Sequence, residues 1–128
     1  MGNPPDLKVV DYKPKYVPPD FSDDALALIF ADCHADELRY VAKWSVWLSW
    51  DDARWQVDDT LAVFDRARAI CREAAAECSN KSKKLKKELA SARTVAAVER
   101  LARADRRLAA AAPQWNAQSF LFNTGDEP

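Results

Sequence analysis

Glycine is scarce in this sequence: Gly2 and Gly125 are the only two among 128 residues. A phosphate-binding loop of the P-loop type needs several glycines ahead of its Lys and Ser or Thr, because its backbone N–H groups must approach the phosphates closely. The sequence contains no such loop. It therefore argues against ATP hydrolysis by this chain.

Residues that ligate metals or act as nucleophiles are also few. Cys33, Cys71 and Cys78 show no close-paired spacing, and His34 is the only histidine. A disulfide framework, a zinc site and a nucleophilic triad are therefore not indicated. We expect the thiols to lie in or near the core, and we predict no catalytic residue, metal or cofactor.

Pairs of aspartates occur at positions 23–24, 51–52 and 58–59. Clustered carboxylates can hold the divalent metals of polymerases and nucleases. Each pair, however, falls at a predicted helix start or turn, where capping or turn formation explains it. A metal-dependent nuclease is therefore the weakest hypothesis for this sequence.

The sequence has no apolar run long enough to span a bilayer, and residues 1–20 lack the apolar segment of a signal peptide. Residues 1–20 instead hold five of the seven prolines, which predicts an extended tail or linker. We expect a cytoplasmic protein with no membrane partner. Residues 21–124 are expected to form one domain, followed by a short tail over 125–128.

Tryptophan is concentrated between residues 38 and 59, which hold four of the five indoles. From Trp44 to Trp50 apolar and polar residues alternate, with Trp47 on the side of the serines, and this period predicts a strand with one buried face. The alternation repeats from Trp55 to Val57, which completes a hairpin, and residues 38–41 are β-rich enough to form a third strand. The sequence therefore predicts a three-stranded meander.

The turn of this hairpin, Asp51-Asp52-Ala53, has no glycine. We expect Asp52 to take a positive φ there, because Asp tolerates the left-handed region better than most residues. Trp44, Trp50 and Trp55 are expected to lie in the core.

Helical periodicity lies on both sides of the meander. The predicted helices run from the N-cap Ser22 to near His34, from Asp58 or Asp59 to 79–80, over Lys81–Leu89, and from Ser91 or Thr94 to Pro113. The predicted buried stripe of the first helix is Leu26, Ile29, Phe30 and Cys33. In the last helix Asp105 falls on the inner side, so its carboxylate should have a cationic or backbone partner. Trp115 and Phe120-Leu121-Phe122 predict a short final strand. The fold class is α+β, mostly helical with about four helices, with a small antiparallel β-meander around Leu38–Val57.

Charge is unevenly distributed along the chain. Residues 1–59 carry a net charge of −6, residues 60–112 carry +7 and residues 113–128 carry −2. Such polarity indicates a nucleic-acid partner or a charged neighbouring domain. The candidate nucleic-acid-binding residues are the lysine run Lys81, Lys83, Lys84, Lys86 and Lys87, an arginine stripe of Arg93, Arg100, Arg103 and Arg107, and Trp47 with Arg54.

Two alternatives remain open for these residues. Lysine runs on helices are often solvated faces without a ligand. Trp47 could stack on a base, or it could be covered by the Pro-rich tail or by a helix.

The sequence resembles the domain that precedes the helicase domain in phage and plasmid primase-helicases, the N-terminal-like domain of the poxvirus-type nucleoside triphosphatase family. The resemblance covers residues 22 to 124 and is carried by LRYVAKWSVWLSWDDARW at 38–55, FDRARAICREAAAEC at 64–78, TVAAVERLARADRRLA at 94–109 and QWNAQSFLFNT at 114–124. It implies a role in replication beside a superfamily-three helicase, sometimes with a primase module. The chain departs from the family pattern at Asp52, where glycine is usual, and at Asn116, where Asp is usual. It also stops at Pro128, where the family continues, so we expect an excised or truncated domain.

Two hypotheses of function follow. The first is a non-enzymatic accessory domain of a primase-helicase that binds or positions DNA through its basic helices. The second is a protein-interaction module that orders helicase subunits or docks a primase, with a helicase or primase domain of the same or a partner chain as its partner. Neither involves a small-molecule substrate.

Overall fold

The computed structural model describes residues 14–78 and 82–113. In chain order the elements are α1 (Asp23–His34), β1 (Leu38–Val41), β2 (Val46–Trp50), β3 (Trp55–Val57), α2 (Ala62–Glu77), α3 (Lys83–Leu89), α4 (Ala92–Ala102) and β4 (Ala109–Ala110). This confirms the predicted α+β class with four helices and a meander over 38–57. No helix within the described ranges is long and apolar enough to cross a membrane.

Three of the helices begin where a serine caps them. The hydroxyls of Ser22, Ser82 and Ser91 accept the N–H groups of Ala25, Leu85 and Thr94, at 3.1 to 3.2 Å. Each serine thus satisfies one of the backbone donors that a helix start leaves unpaired. Ser22 was predicted in this role from the sequence, and of the two predicted starts of the last helix, Ser91 and Thr94, Ser91 is the one observed.

The sheet has the order β3-β2-β1-β4. β1 and β2 pair antiparallel with Tyr40 opposite Trp47, and β2 and β3 pair antiparallel with Trp50 opposite Trp55. β4 adds to the free edge of β1 in parallel, and the Tyr40 N–H donates to the Leu108 carbonyl at 2.7 Å. The predicted final strand at 120–122, with Trp115, lies outside the described residues.

The prediction that the sheet buries only one face is wrong. Leu38, Tyr40 and Trp47 face the main core with the helices, whereas Val41, Leu48 and Trp55 form a second cluster on the opposite face. Ala112 belongs to this second cluster, so the chain that follows β4 passes over the outer face of the sheet. Trp55 is fully buried as predicted, and Trp44 and Trp50 are half-buried against it.

The buried stripe of α1 differs from the predicted one. Ala27 and Ala31 lie in the core beside Leu26 and Phe30, while Ile29 and Cys33 are exposed. The alanines make the difference because small side chains at a helix contact allow close approach of the neighbouring helix, here α4.

The fourth helix ends at Ala102, not at Pro113 as predicted. The chain then turns through residues 103–108, where the Asp105 carboxylate accepts the Arg107 N–H at 2.9 Å. Asp105 also accepts the Arg107 guanidinium through both of its oxygens, each at 3.0 Å. Asp105 thus has the cationic partner that was expected of it, although it lies in a turn and not on a helix.

Candidate nucleic-acid interface

Most of the predicted basic residues lie at the surface. Lys83, Lys84 and Lys87 of α3 are exposed, and Lys86 is half-buried; Arg93 and Arg100 of α4 and Arg54 of the hairpin turn are exposed as well. Arg93 and Arg100 are seven residues apart, which places them on one face of α4 at about 10.5 Å along its axis. Lys81 lies outside the described residues. We call Lys83, Lys84, Lys86, Lys87, Arg93 and Arg100 the basic surface.

The helices α3 and α4 meet in a tight turn that forms a cleft of about 480 Å³. Its lining residues are Lys84, Lys87, Glu88, Ser91, Arg93 and Thr94. The hydroxyls of Ser91 and Thr94 both donate to the Glu88 carbonyl, at 2.7 and 2.8 Å, and so they fix the angle between the two helices. The structure therefore brings three of the predicted cations together, two from one helix and one from the next.

Two of the three cations of this cleft are placed where they oppose helix stability. Lys84 lies in the first turn of α3 and Arg93 in the first turn of α4, and neither turn contains an acidic residue. A cation near a helix N-terminus is unfavourable because that end carries partial positive charge. By contrast, α1 begins with Asp23 and Asp24. The positive charge of Lys84 and Arg93 is thus not explained by the stability of their helices, whereas Lys87 lies in the last turn of α3, where a cation is favourable.

None of these cations is neutralised by a carboxylate of the described residues. Within residues 14–78 and 82–113, every ion pair with an N–O distance of at most 4 Å is formed by another basic side chain. Lys84, Lys87 and Arg93 have no carboxylate partner at this distance. Their charge is therefore available to an anionic ligand.

Arg103 and Arg107 do not continue the stripe, which corrects the sequence prediction. Arg107 lies beyond the end of α4 and is buried, and it contacts Asp105, Asp32 and the Leu28 carbonyl. Arg103 donates to Glu99 through Nε at 2.7 Å and Nη2 at 2.9 Å, and these hydrogen bonds raise its pKa. Both arginines hold elements of the fold together, and the stripe ends at Arg100.

Trp47 is not presented to a ligand in this structure. Its side chain packs edge-on to Tyr40, with ring centroids 5.0 Å apart, and only 7% of the residue is exposed. The indole N–H donates to Glu99 Oε2 at 2.7 Å. Of the two alternatives left open by the sequence, cover by a helix is therefore the one observed, and Trp47 is removed from the interface.

The comparison with protein families decides the relationship of this chain. Residues 27–127 match the model described as D5 N terminal like. The chain belongs to the D5 N-terminal-like family. Members of this family are associated with primase-helicases, and the domain is an N-terminal one that is not itself catalytic. No curated protein and no solved structure matches the chain significantly.

In this D5 N-terminal-like domain, two of the three aspartate pairs have clear structural roles. The Asp58 carboxylate accepts the N–H groups of Thr60, Ala62 and Val63, and although burial works against the charged form, these bonds lower the pKa of Asp58. The Asp51 carboxylate accepts the N–H groups of Ala53 and Arg54 across the hairpin turn, which lowers its pKa. In the described part of the chain, no group of three or more His, Cys, Asp or Glu side chains is arranged to hold a metal ion.

Sequence reasoning missed one further surface feature, at the start of α2. Leu61 adopts φ of 63° and is 74% exposed. It borders a cleft of about 660 Å³ between α2 and the start of α4, whose other apolar lining includes Phe64 and Val95. A leucine in the left-handed region is costly, by about 1–2 kcal/mol, and an exposed one gains little from burial in return. The sequence around Leu61 contains no glycine or asparagine that would have indicated a left-handed backbone conformation there.

Proposed function

We propose that this domain is a non-enzymatic accessory module of a primase-helicase, and that it binds DNA through the basic surface. The observation that supports this most strongly is the cleft that brings together Lys84, Lys87 and Arg93, three cations without a carboxylate partner among the described residues. Two of them, Lys84 and Arg93, lie in the first turn of a helix, where they oppose its stability. A set of cations without internal partners is the usual footprint of phosphate recognition. A domain of this kind would hold or guide the DNA beside the motor that moves it.

The expected binding is electrostatic and weakly dependent on base sequence. Cations that neutralise phosphates release counterions, so the affinity falls steeply as salt rises. Trp47 is buried, so stacking by this indole does not contribute. Phosphate contacts alone carry little sequence information.

The test is a titration of fluorescently labelled single- and double-stranded DNA with the full chain, followed by anisotropy between about 50 and 200 mM salt. Changing Lys83, Lys84, Lys86 and Lys87 to Glu should abolish binding. The matched control changes Lys15, Lys43, Arg72 and Arg106 to Glu, because these exposed cations lie outside the basic surface and give the same change in net charge. Absent binding, salt-insensitive binding, or equal losses in both variants would contradict the proposal.

A protein-docking module is the second candidate, and the exposed Leu61 favours it. Leu61 shares its cleft with the half-buried Phe64, and contiguous apolar surface of this kind marks protein contacts. This candidate predicts a complex with the helicase domain, or self-association, that survives the four lysine changes and is lost in Leu61→Asp. The complex can be followed by size-exclusion chromatography with light scattering. If Leu61→Asp and the wild type elute identically under all loading conditions and with the helicase domain, this candidate fails.

A further inference from the structure

We infer that the cleft between α3 and α4 is the phosphate-binding centre of the domain, and that it takes one phosphodiester group of a nucleic-acid backbone. This inference rests on the proposed function and makes it more specific. It assigns the binding energy mainly to Lys84, Lys87 and Arg93, and it gives Glu88 a role that limits the affinity.

The geometry favours a single anionic group held from two sides. Lys84 and Lys87 are three residues apart on α3, so they lie on one face of that helix. Arg93 reaches the same cleft from α4. Two lysines provide point charges, and the planar guanidinium can donate two parallel hydrogen bonds to phosphate oxygens.

The lining favours a backbone phosphate over a free nucleotide. The cleft volume of about 480 Å³ is within the range of small-ligand sites. Such sites, however, are lined mainly by apolar and aromatic side chains that hold the ligand. All six residues that line this cleft are charged or hydroxyl-bearing and none is aromatic, so it lacks the aromatic side chains on which nucleotide bases commonly stack.

Glu88 is the one anionic side chain in the lining, and it reduces the net charge of the cleft from +3 to +2. Its carbonyl is needed to receive the Ser91 and Thr94 hydroxyls, but that contact does not use the carboxylate. Glu88→Gln should therefore preserve the turn and strengthen binding by about fivefold, because it removes a carboxylate that repels the phosphate, an effect of this size for unit charges about 4 Å apart in water. A gain of affinity upon loss of a charge is a result that a purely structural role would not give.

Arg93 allows binding and stability to be separated. Because this cation opposes the dipole of α4, Arg93→Gln should leave the melting temperature unchanged or raise it, while it weakens DNA binding. Arg93→Lys should retain part of the affinity, since it keeps the charge and loses the planar fork. If Arg93→Gln binds DNA like the wild type, the inference is wrong.

The decisive experiment compares two triple variants of the full chain by anisotropy with single-stranded DNA. The cleft variant changes Lys84, Lys87 and Arg93 to Glu, and the outer variant changes Lys83, Lys86 and Arg100 to Glu. At about 0.1 M salt the cleft variant should lose more than about tenfold in affinity, since it gives up the phosphate contact and places three carboxylates beside the phosphate, and the salt slope should fall by about 1, the value for one phosphate. The outer variant should lose less than about tenfold.

The remaining outcomes separate this inference from the proposed function. Equal losses in the two variants would overturn the cleft and leave DNA binding by the basic surface intact. No loss in either, relative to the triple control at Lys15, Lys43 and Arg72, would overturn both. Displacement of DNA by millimolar ATP or inorganic phosphate, beyond the effect of sodium chloride at the same ionic strength, would show that the cleft takes a free phosphate ligand and would overturn the backbone assignment.

Discussion

Substitution of Glu99 by alanine should be one of the most destabilising single changes in this domain. The Glu99 side chain is only 9% exposed, and its carboxylate accepts the Trp47 indole N–H from β2 and the Arg103 guanidinium from the end of α4. Its loss leaves the Trp47 donor buried without an acceptor. The change therefore breaks the polar contact that joins the sheet to the fourth helix.

The magnitude can be worked from these contacts. A buried donor left without an acceptor costs about 1–3 kcal/mol. The pair with Arg103 adds less, about 0.5–1 kcal/mol, because the Arg103 side chain is 40% exposed and its charge is screened by water. The sum is about 3 kcal/mol of unfolding free energy, which corresponds to a decrease of roughly 10 °C in melting temperature for a domain of this size.

The assay is urea unfolding followed by far-ultraviolet circular dichroism. Glu99→Gln should lose less than Glu99→Ala, because its amide oxygen can still accept from Trp47. Trp47→Phe removes the donor and keeps an aromatic ring, so the double variant with Glu99→Ala should show a positive coupling of about 1 kcal/mol. A loss below about 1 kcal/mol for Glu99→Ala, or no coupling to Trp47→Phe, would refute the reasoning.

Three further predictions concern other sites. Because the pKa of Asp58 is lowered in the folded protein, its carboxylate stabilises the fold above about pH 4, and this stabilisation is lost as the pH falls through the folded pKa. Acid-induced unfolding should therefore be steeper in the wild type than in Asp58→Asn. Asp52→Gly should raise the unfolding free energy by about 0.5–1 kcal/mol in urea titrations, because Asp52 has φ of 78° and glycine adopts this conformation without strain. In thiol labelling, the exposed Cys33 should react in the folded protein, although slowly, because partial burial and nearby carboxylates raise its pKa. Cys71 and Cys78 are buried and should react only after unfolding by urea, and burial also raises the pKa of Cys71 to about 11.

Each of these has a result that would count against it. Parallel acid transitions in the wild type and the Asp58 variant would show that the cap does not govern acid stability. A loss of stability in Asp52→Gly would mean that the aspartate side chain contributes more than its backbone conformation costs. Labelling of Cys71 at the rate of Cys33 would contradict the burial of that thiol.

Local signals in the sequence were sufficient for the meander and for the starts of α1 and α4, whereas α2 begins at Ala62 and α3 at Lys83, each later than predicted. The alternation from Trp44 to Trp50 fixes a strand period, and a serine ahead of a helical pattern provides a cap acceptor. The positive φ of Asp52 also followed from local chemistry, because the hairpin turn needs it and no glycine is there.

Features that depend on distant partners were not predictable in this way. The end of α4 has no Gly or Pro nearby in the sequence, and Arg107, the residue that anchors the following turn, also binds Asp32 of α1. The burial of Glu99 depends on Trp47, which lies on another element. β4 consists of two alanines, which have low β propensity, so no pattern distinguishes it from a helix.

The candidate site was predicted in part for the same reason. Charge and exposure on α3 follow from composition, and the lysines there are at the surface. The convergence of Arg93 with Lys84 and Lys87 depends on the angle between two helices, which the Ser91 and Thr94 hydroxyls set through the Glu88 carbonyl. The sequence alone assigned Arg93 and Arg107 to one stripe, although one is at the surface and the other is buried.

The parallel pairing of β4 with β1 has a consequence for synthesis on the ribosome. β1 acquires its second neighbour only from Ala109 and Ala110, so the sheet cannot be completed until most of the chain has left the exit tunnel. Folding should therefore be late and cooperative, not progressive from the N-terminus. An expression boundary placed before Ala112 would remove this covering residue from the outer face of the sheet, and such a fragment should aggregate.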